Sequence, residues 1–211
     1  DGVNFSAGAG EIVTLMGGSG CGKSTLLRAL MKLIPAHSGE ILIDGERVDN
    51  ISEAKMNEVR KKMGMVFQEG ALFDSMNVRE NVAFPLRRHS RMSEKEIRQT
   101  VAERLEAVGL KGVEENMPDQ LSGGMRRRVG IARALALSPR ALLYDEPTAG
   151  LDPLLTATVC ELIVRMRDRY GTTSVVVTHD IEAAARISDK IAMIHDGRIL
   201  AEGKLEQLER A

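Results

Sequence analysis

The run Gly17-Gly18-Ser19-Gly20-Cys21-Gly22-Lys23-Ser24-Thr25 is the part of this chain best equipped to grip a phosphate. Its spacing is G-x-x-x-x-G-K-S. Glycines permit backbone conformations that a Cβ obstructs, so successive N–H groups can turn inward and cradle phosphate oxygens. Lys23 brings a positive charge for the terminal phosphates, and the Ser24 hydroxyl can hold Mg²⁺. An apolar run, Ile12 to Met16, precedes the loop as a strand, and Thr25 to Leu33 follows with helical spacing, ending near Pro35. The start of that helix adds its positive dipole end. A glycine-rich turn without a ligand is the alternative, but it leaves the order strand, loop, Lys-Ser, helix unexplained.

Phosphoryl transfer also needs a metal ligand and a group to orient water. Ala141-Leu142-Leu143-Tyr144-Asp145-Glu146 supplies both. A strand buried in a parallel sheet is apolar on both faces, and its carboxyl end opens into the ligand crevice. Asp145 can reach a Mg²⁺ shell there, and Glu146 can polarise an attacking water. Two more apolar runs end in polar residues, Met65-Val66-Phe67-Gln68 and Val175-Val176-Val177-Thr178-His179. On the same sheet edge, Gln68 can sense metal and water, and His179 can bond the γ-phosphate. A solitary strand-end Gln or His is commonly a satisfied surface group; the shared edge is what lifts these two. His37, His89 and His195 have no such setting. Leu121-Ser122-Gly123-Gly124-Met125 is a second helix start with open N–H groups for an anion. One nucleotide does not need two such starts from one molecule.

The elements that position these groups alternate. Asp1 to Ser6 and Glu11 to Met16 read as strands about a turn at Ala7-Gly8-Ala9-Gly10. Glu40 to Ile43 and Glu46 to Val48 flank the hairpin signal Asp44-Gly45. Together they predict a small antiparallel sheet around the loop's strand. Ser52 starts a helix with Val59 and Met63 on one face, and Gly64 to Phe67 is a strand. Asn77 to Gly109 is helical, broken at Pro85 and restarted by the cap Ser93-Glu94-Lys95-Glu96, with an apolar stripe at Val101, Leu105 and Val108. Ser122 opens a helix carrying Val129, Ile131, Ala132 and Leu135. Pro153 opens another that runs to Tyr170. Thr173 to Thr178 is a strand and Ile181 to Ile187 a helix. Strands at Lys190 to His195 and Arg198 to Glu202 surround Asp196-Gly197. The pattern predicts an α/β fold with a mainly parallel sheet. Residues 1–76 and 139–211 form the nucleotide-binding core of a single domain. Residues 77–138 form an inserted helical subdomain.

Composition narrows the function. The chain has 211 residues, 43% hydrophobic and 28% charged, enough for one full core. Its formal net charge of -1 offers no basic field for nucleic acid, and 3% aromatic content with no Trp offers few stacking surfaces. No apolar run approaches the ~20 residues that span a bilayer. No leader peptide is visible. The two cysteines, Cys21 and Cys160, fall in a phosphate loop and a helix, so a reducing cytosol fits better than a disulfide. Arg126-Arg127-Arg128, spread around a helix, and Arg133 read as a solvated face in preference to a direct lipid-headgroup contact. Met56, Met63, Met65 and Met76 read as gap-filling core or subunit contact.

With these motifs in this order, the chain resembles the ATP-binding cassette ATPases over essentially its whole length. The resemblance implies a homodimer in which Ser122, Gly123 and Gly124 bind the γ-phosphate of an ATP held by the partner. It also implies that Gln68 sits in the loop coupled to an integral-membrane permease. Asp152, in Ala149-Gly150-Leu151-Asp152, matches the loop crossing between the two sites. Two departures stand out. Met125 replaces the usual Gln, so no side-chain hydrogen bond is available there. The aromatic that stacks on adenine, upstream of the strand containing Phe5, is not seen.

A narrower resemblance rests on Phe67-Gln68-Glu69-Gly70-Ala71-Leu72-Phe73-Asp74-Ser75-Met76-Asn77-Val78, on Glu80-Asn81-Val82-Ala83-Phe84-Pro85-Leu86-Arg87, and on the Met-containing signature. These are similar to the ATPases of Mla-type phospholipid transporters. That implies an MCE-type lipid-binding protein and accessory subunits as partners, ATP and Mg²⁺ as cofactors, and a place on the cytoplasmic face of the inner membrane. Another cargo, such as amino acids or toxic compounds, is the first alternative. A soluble cassette of translation or DNA repair lacks support, because neither a second cassette nor a coiled-coil insertion is present. A small-molecule kinase with a phosphate loop leaves Ser122-Gly123-Gly124 and His179 without a role.

Overall fold

Strand β1 (Ile12–Met16) is buried at every residue, and the sheet is built outward from it. In the computed structural model, which describes residues 2–208, β1 lies between β6 (Thr173–Thr178) and β7 (Lys190–His195), parallel to both. The sheet continues through β5 (Ala141–Asp145) to β4 (Met63–Val66) on one side. On the other it ends at β8 (Arg198–Gly203), the one antiparallel member. A separate two-stranded sheet pairs β2 (Leu42–Ile43) with β3 (Glu46–Arg47). Both hairpins turn on an Asp-Gly pair with positive φ at each residue: 53° and 77° at Asp44 and Gly45, 46° and 71° at Asp196 and Gly197. That backbone matches the twist of the flanking strands.

Alternate side chains of the central strands enter two different cores. Ile12, Leu142, Tyr144 and Val176 face one core; Val13, Leu15, Leu143, Val175 and Val177 face the other. The second is closed by α1 (Lys23–Leu30) and α2 (Glu53–Arg60), through Leu27, Met56 and Val59. The first is closed by α5 (Gly123–Ala134), α6 (Pro153–Tyr170) and α7 (Ile181–Ile187). Helices α3 (Val78–His89) and α4 (Glu94–Ala107) pack with α5 and extend that core away from the sheet. Capping boxes start both, Asn77 with Glu80 and Ser93 with Glu96. A short helix, α8 (Leu205–Leu208), follows β8.

Several expectations change. Residues 2–8 form no strand, and Asp1 lies outside the described residues. Glu11 closes this segment as a turn instead: its N–H bonds the Gly8 carbonyl, and its carboxylate accepts from the Gly8 N–H at 2.6 Å. The helix after the phosphate loop stops at Leu30, and Lys32 turns the chain with φ of 50°. Met63 belongs to β4 and not to the face of α2. Pro85 does not break α3, although proline inside a helix costs about 3 kcal/mol. Asn81, four residues earlier and fully buried, anchors the helix from outside. Its amide donates to the carbonyls of Phe73, Met76 and Asn77 and accepts from the Phe73 N–H. The helix ends at Ser90, whose hydroxyl and N–H both bond the Leu86 carbonyl.

Tyr144 is fully buried, and its hydroxyl has no hydrogen-bond partner among the described residues. Burial pushes the phenol above its ordinary pKa, so it stays neutral. Tyr144→Phe removes a desolvated polar atom and keeps the ring, and should raise stability by about 1 kcal/mol in urea unfolding. A loss of stability would show that the hydroxyl is bonded in solution.

Candidate functional site

Gly17 leaves β1 so close to β7 that a Cβ there would stand 2.2 Å from the Ile194 carbonyl oxygen. No side chain fits that space, so the loop must begin with glycine. Further on, Gly20 and Gly22 take φ of 81° and 101°, and Gly22 caps α1 in the left-handed region. Lys23 is therefore the first helical residue, only 6% exposed. Its ammonium donates to the carbonyls of Gly17 at 2.7 Å and Gly18 at 3.0 Å. It also stands 3.5 Å from Glu146 Oε1.

The neighbouring strands deliver the acidic groups. Met16 is level with Thr178, and Asp145 with Val177, so β1, β5 and β6 end side by side. The Ser24 hydroxyl donates to Asp145 Oδ1 at 2.7 Å. Glu146 follows with φ of 48°, which a side chain rarely adopts, and its N–H bonds the Val177 carbonyl. Its carboxylate is 15% exposed, and the His179 ring Nδ1 stands 3.0 Å from Oε2. His179 itself is 61% exposed. Lys23, Ser24, Asp145, Glu146 and His179 thus converge at one sheet edge, beside Gly17–Thr25.

Other expected site residues are oriented differently. Ser122 caps α5, accepting from the Met125 N–H at 3.2 Å, and with Gly123 it is exposed. Asp152 caps α6, accepting from the N–H groups of Leu154 and Leu155, both at 3.0 Å. Gln68 is exposed, and its main-chain carbonyl accepts from Arg127 Nε at 2.6 Å. Met125 packs against the main core. Both cysteines are free thiols, and burial raises the pKa of Cys160 to about 11.

A hydroxyl and a carboxylate 2.7 Å apart suit Mg²⁺, which takes oxygen ligands and keeps several waters. The described residues hold no cluster of three or more His, Cys, Asp or Glu that could cage a metal alone. The donor set therefore fits an ion that borrows oxygens from bound phosphates.

The arginines correct the sequence reading. Arg127 is buried and Arg133 half-buried, and neither belongs to a solvated face. Arg133 donates to the carbonyls of Gly70 and Ala71, both at 2.8 Å. The signal was the spacing Arg127, Gly130, Arg133, three apart along one helix face with a glycine where another backbone must approach.

The family described as ABC transporter matches residues 1–149. The chain belongs to this family. It is an ATP-hydrolysing ABC cassette with the α/β fold expected. It is 45% identical over 208 residues to the intermembrane phospholipid transport system ATP-binding protein MlaF of Haemophilus influenzae, covering 99% of this chain and 79% of that protein. Identity to MlaF of Escherichia coli K12 is 43% over 209 residues, covering 99% and 78%. A probable ribonucleotide transport ATP-binding protein of Mycobacterium tuberculosis is 43% identical, covering 98% and 57%. A cassette solved as a dimer in a post-hydrolysis state with ADP and phosphate aligns with TM-score 0.87 and 37% identity, over 96% of this chain and 89% of that one.

In this cassette the Lys23 ammonium lies folded into its own loop, on the carbonyls of Gly17 and Gly18 and beside Glu146. Lys23→Ala should weaken ATP binding by about 10²-fold or more, the usual cost of removing one partner from a buried charge pair. Isothermal calorimetry checks this; unchanged affinity would remove Lys23 from the site.

Proposed function

We propose that this ATPase drives phospholipid transport as one of two identical subunits beneath an integral-membrane permease. The observation that carries the cargo is the identity of 45% and 43%, over 99% of the chain, to two phospholipid-transport ATP-binding proteins. On this reading an MCE-type lipid-binding protein and accessory subunits complete the assembly. The ATPase lies against the cytoplasmic face of the inner membrane. No helix among the described residues is long and apolar enough to cross a membrane.

The contacts among Lys23, Ser24, Asp145, Glu146 and His179 support the roles assigned to them, and the family resemblance supports the rest. Gly17 to Thr25 cradle the phosphates, and Lys23 exchanges the carbonyls of Gly17 and Gly18 for phosphate oxygens. Glu146, released from Lys23, orients a water for in-line attack. His179, beside Glu146, bonds the γ-phosphate, and Gln68 senses water and metal. Mg²⁺, held from the protein by Ser24 and Asp145, supplies charge neutralisation on the phosphates. Ser122 and Gly123, exposed at the start of α5, and Gly124, buried behind them, serve the partner's ATP, and Asp152 sits on the loop between the sites. Residues 77–138 move as the helical subdomain and pass closure to the permease; residues 1–76 and 139–211 hold the nucleotide.

A second reading, ribonucleotide cargo, draws on the mycobacterial relative. Mass spectrometry of lipids and nucleotides copurifying with the assembled transporter separates the two. Phospholipid enriched over a permease-free control is the expected result; bound ribonucleotide in a permease cavity, without lipid enrichment, would overturn it. Glu146→Gln should lower kcat by ~10²–10⁴-fold, as loss of a general base does, while ATP still binds. Wild-type turnover in that variant would mean another group orients the water.

A further inference from the structure

The loop after β4 leaves the sheet beside β5, where Val66 is level with Tyr144, and α5 holds it. Gly70 has φ of 81°, and a Cβ there would stand 2.6 Å from the Arg126 carbonyl oxygen. A Cβ on Gly130 would stand 2.8 Å from the Gly70 Cα. Loop and helix therefore touch backbone to backbone. Arg133 secures one side through the carbonyls of Gly70 and Ala71, with its guanidinium 5.6 Å from the Phe73 ring centroid. Arg127 secures the other. It is 7% exposed, donates from Nε to the Gln68 carbonyl at 2.6 Å, and donates from Nη2 to the Ala149 carbonyl. Its Nη1 is buried without a partner among the described residues, and burial lowers its pKa, partly offset by Glu69. Among the described residues no carboxylate forms an ion pair with it. A desolvated guanidinium without a counter-ion is a costly arrangement. What it joins is two main-chain oxygens, one on each of two loops.

We propose that Arg127 is a positioning residue for hydrolysis. By holding the Gln68 and Ala149 carbonyls on one guanidinium, it ties the water-sensing loop of one site to the Asp152 loop and the Ser122 helix start, which serve the other. Arg127 lies five positions after Ser122, about 7.5 Å along the helix, so the two sites of a dimer share one rigid segment. A lysine replaces the fork only in part, because one ammonium is a single point and the carbonyls lie on separate loops. The proposal rests on the role assigned to Gln68, and its test separates the two.

The test measures ATP turnover of the assembled transporter carrying Arg127→Met, Arg127→Lys, Gln68→Ala and the Arg127→Met/Gln68→Ala pair. Hydrogen exchange of residues 68–72 and 149–152 is followed alongside. Arg127→Met should lower kcat on the order of 10²-fold, as small misplacements of reacting groups do, with KM for ATP unchanged. Arg127→Lys should recover part of that loss. In the Gln68→Ala background the further loss should nearly vanish, because contacting residues do not add. Exchange should rise in both loops together. An equal loss in both backgrounds, a rise in only one loop, or wild-type kcat in Arg127→Met would overturn the proposal. If Arg127→Met fails to fold, Arg127→Lys carries the same cycle and the same exchange comparison. A Gln68→Ala transporter with normal kcat would overturn the Gln68 role and this proposal with it. A slow Gln68→Ala beside a normal Arg127→Met overturns this proposal alone.

Discussion

Three adjacent parallel strands end at one edge, and the residues just past those ends have only one space to enter. β1 delivers Gly17, β5 delivers Asp145 and Glu146, and β6 delivers His179. The register leaves no freedom: Met16 is level with Thr178 and Asp145 with Val177. A slip of one residue would turn every side chain of a strand to the opposite face. Because both faces are buried by separate cores, such a slip is blocked twice. The chemistry of the site is thus a by-product of strand register, enforced by apolar residues that never touch a ligand.

Within that frame, the charges satisfy one another. Lys23 spends its donors on Gly17, Gly18 and Glu146, while Ser24 spends its proton on Asp145. Each bond engages a group that phosphate chemistry would use. A charge this deeply placed needs partners at all times, since an unpaired buried charge costs several kcal/mol. The loop is therefore held by bonds within the chain itself, from Lys23 to Gly17 and Gly18 and from Ser24 to Asp145.

Much of this was legible in the sequence, and the misses have physical causes. The strand Thr173–Thr178, the helices Pro153–Tyr170 and Ile181–Ile187 and the strand Lys190–His195 were readable because strong apolar patterns end at Pro, Gly or Asp. The convergence of Lys23, Asp145, Glu146 and His179 followed from strand ends alone. Pro85 misled because the anchor that carries α3 through it, Asn81, bonds carbonyls in a preceding loop, and no local pattern records that. Arg127 and Arg133 misled for a related reason. A run of arginines on a helix commonly faces water, and only the fold shows that a loop from far along the chain lies against two of them.

The contact between Gly70 and Gly130 reaches beyond stability into how such a sequence can drift. Sixty positions apart, the two share a single vacancy: a methyl group at either would meet the backbone of the other's segment. Neither can acquire a side chain first, because the neighbour it strikes is main chain and cannot change rotamer. On either side of Gly70, the side chains of Glu69 and Ala71 are exposed and strike no main chain. A lineage can therefore recolour this surface while its two glycines stay locked, and the loop's position is inherited along with them.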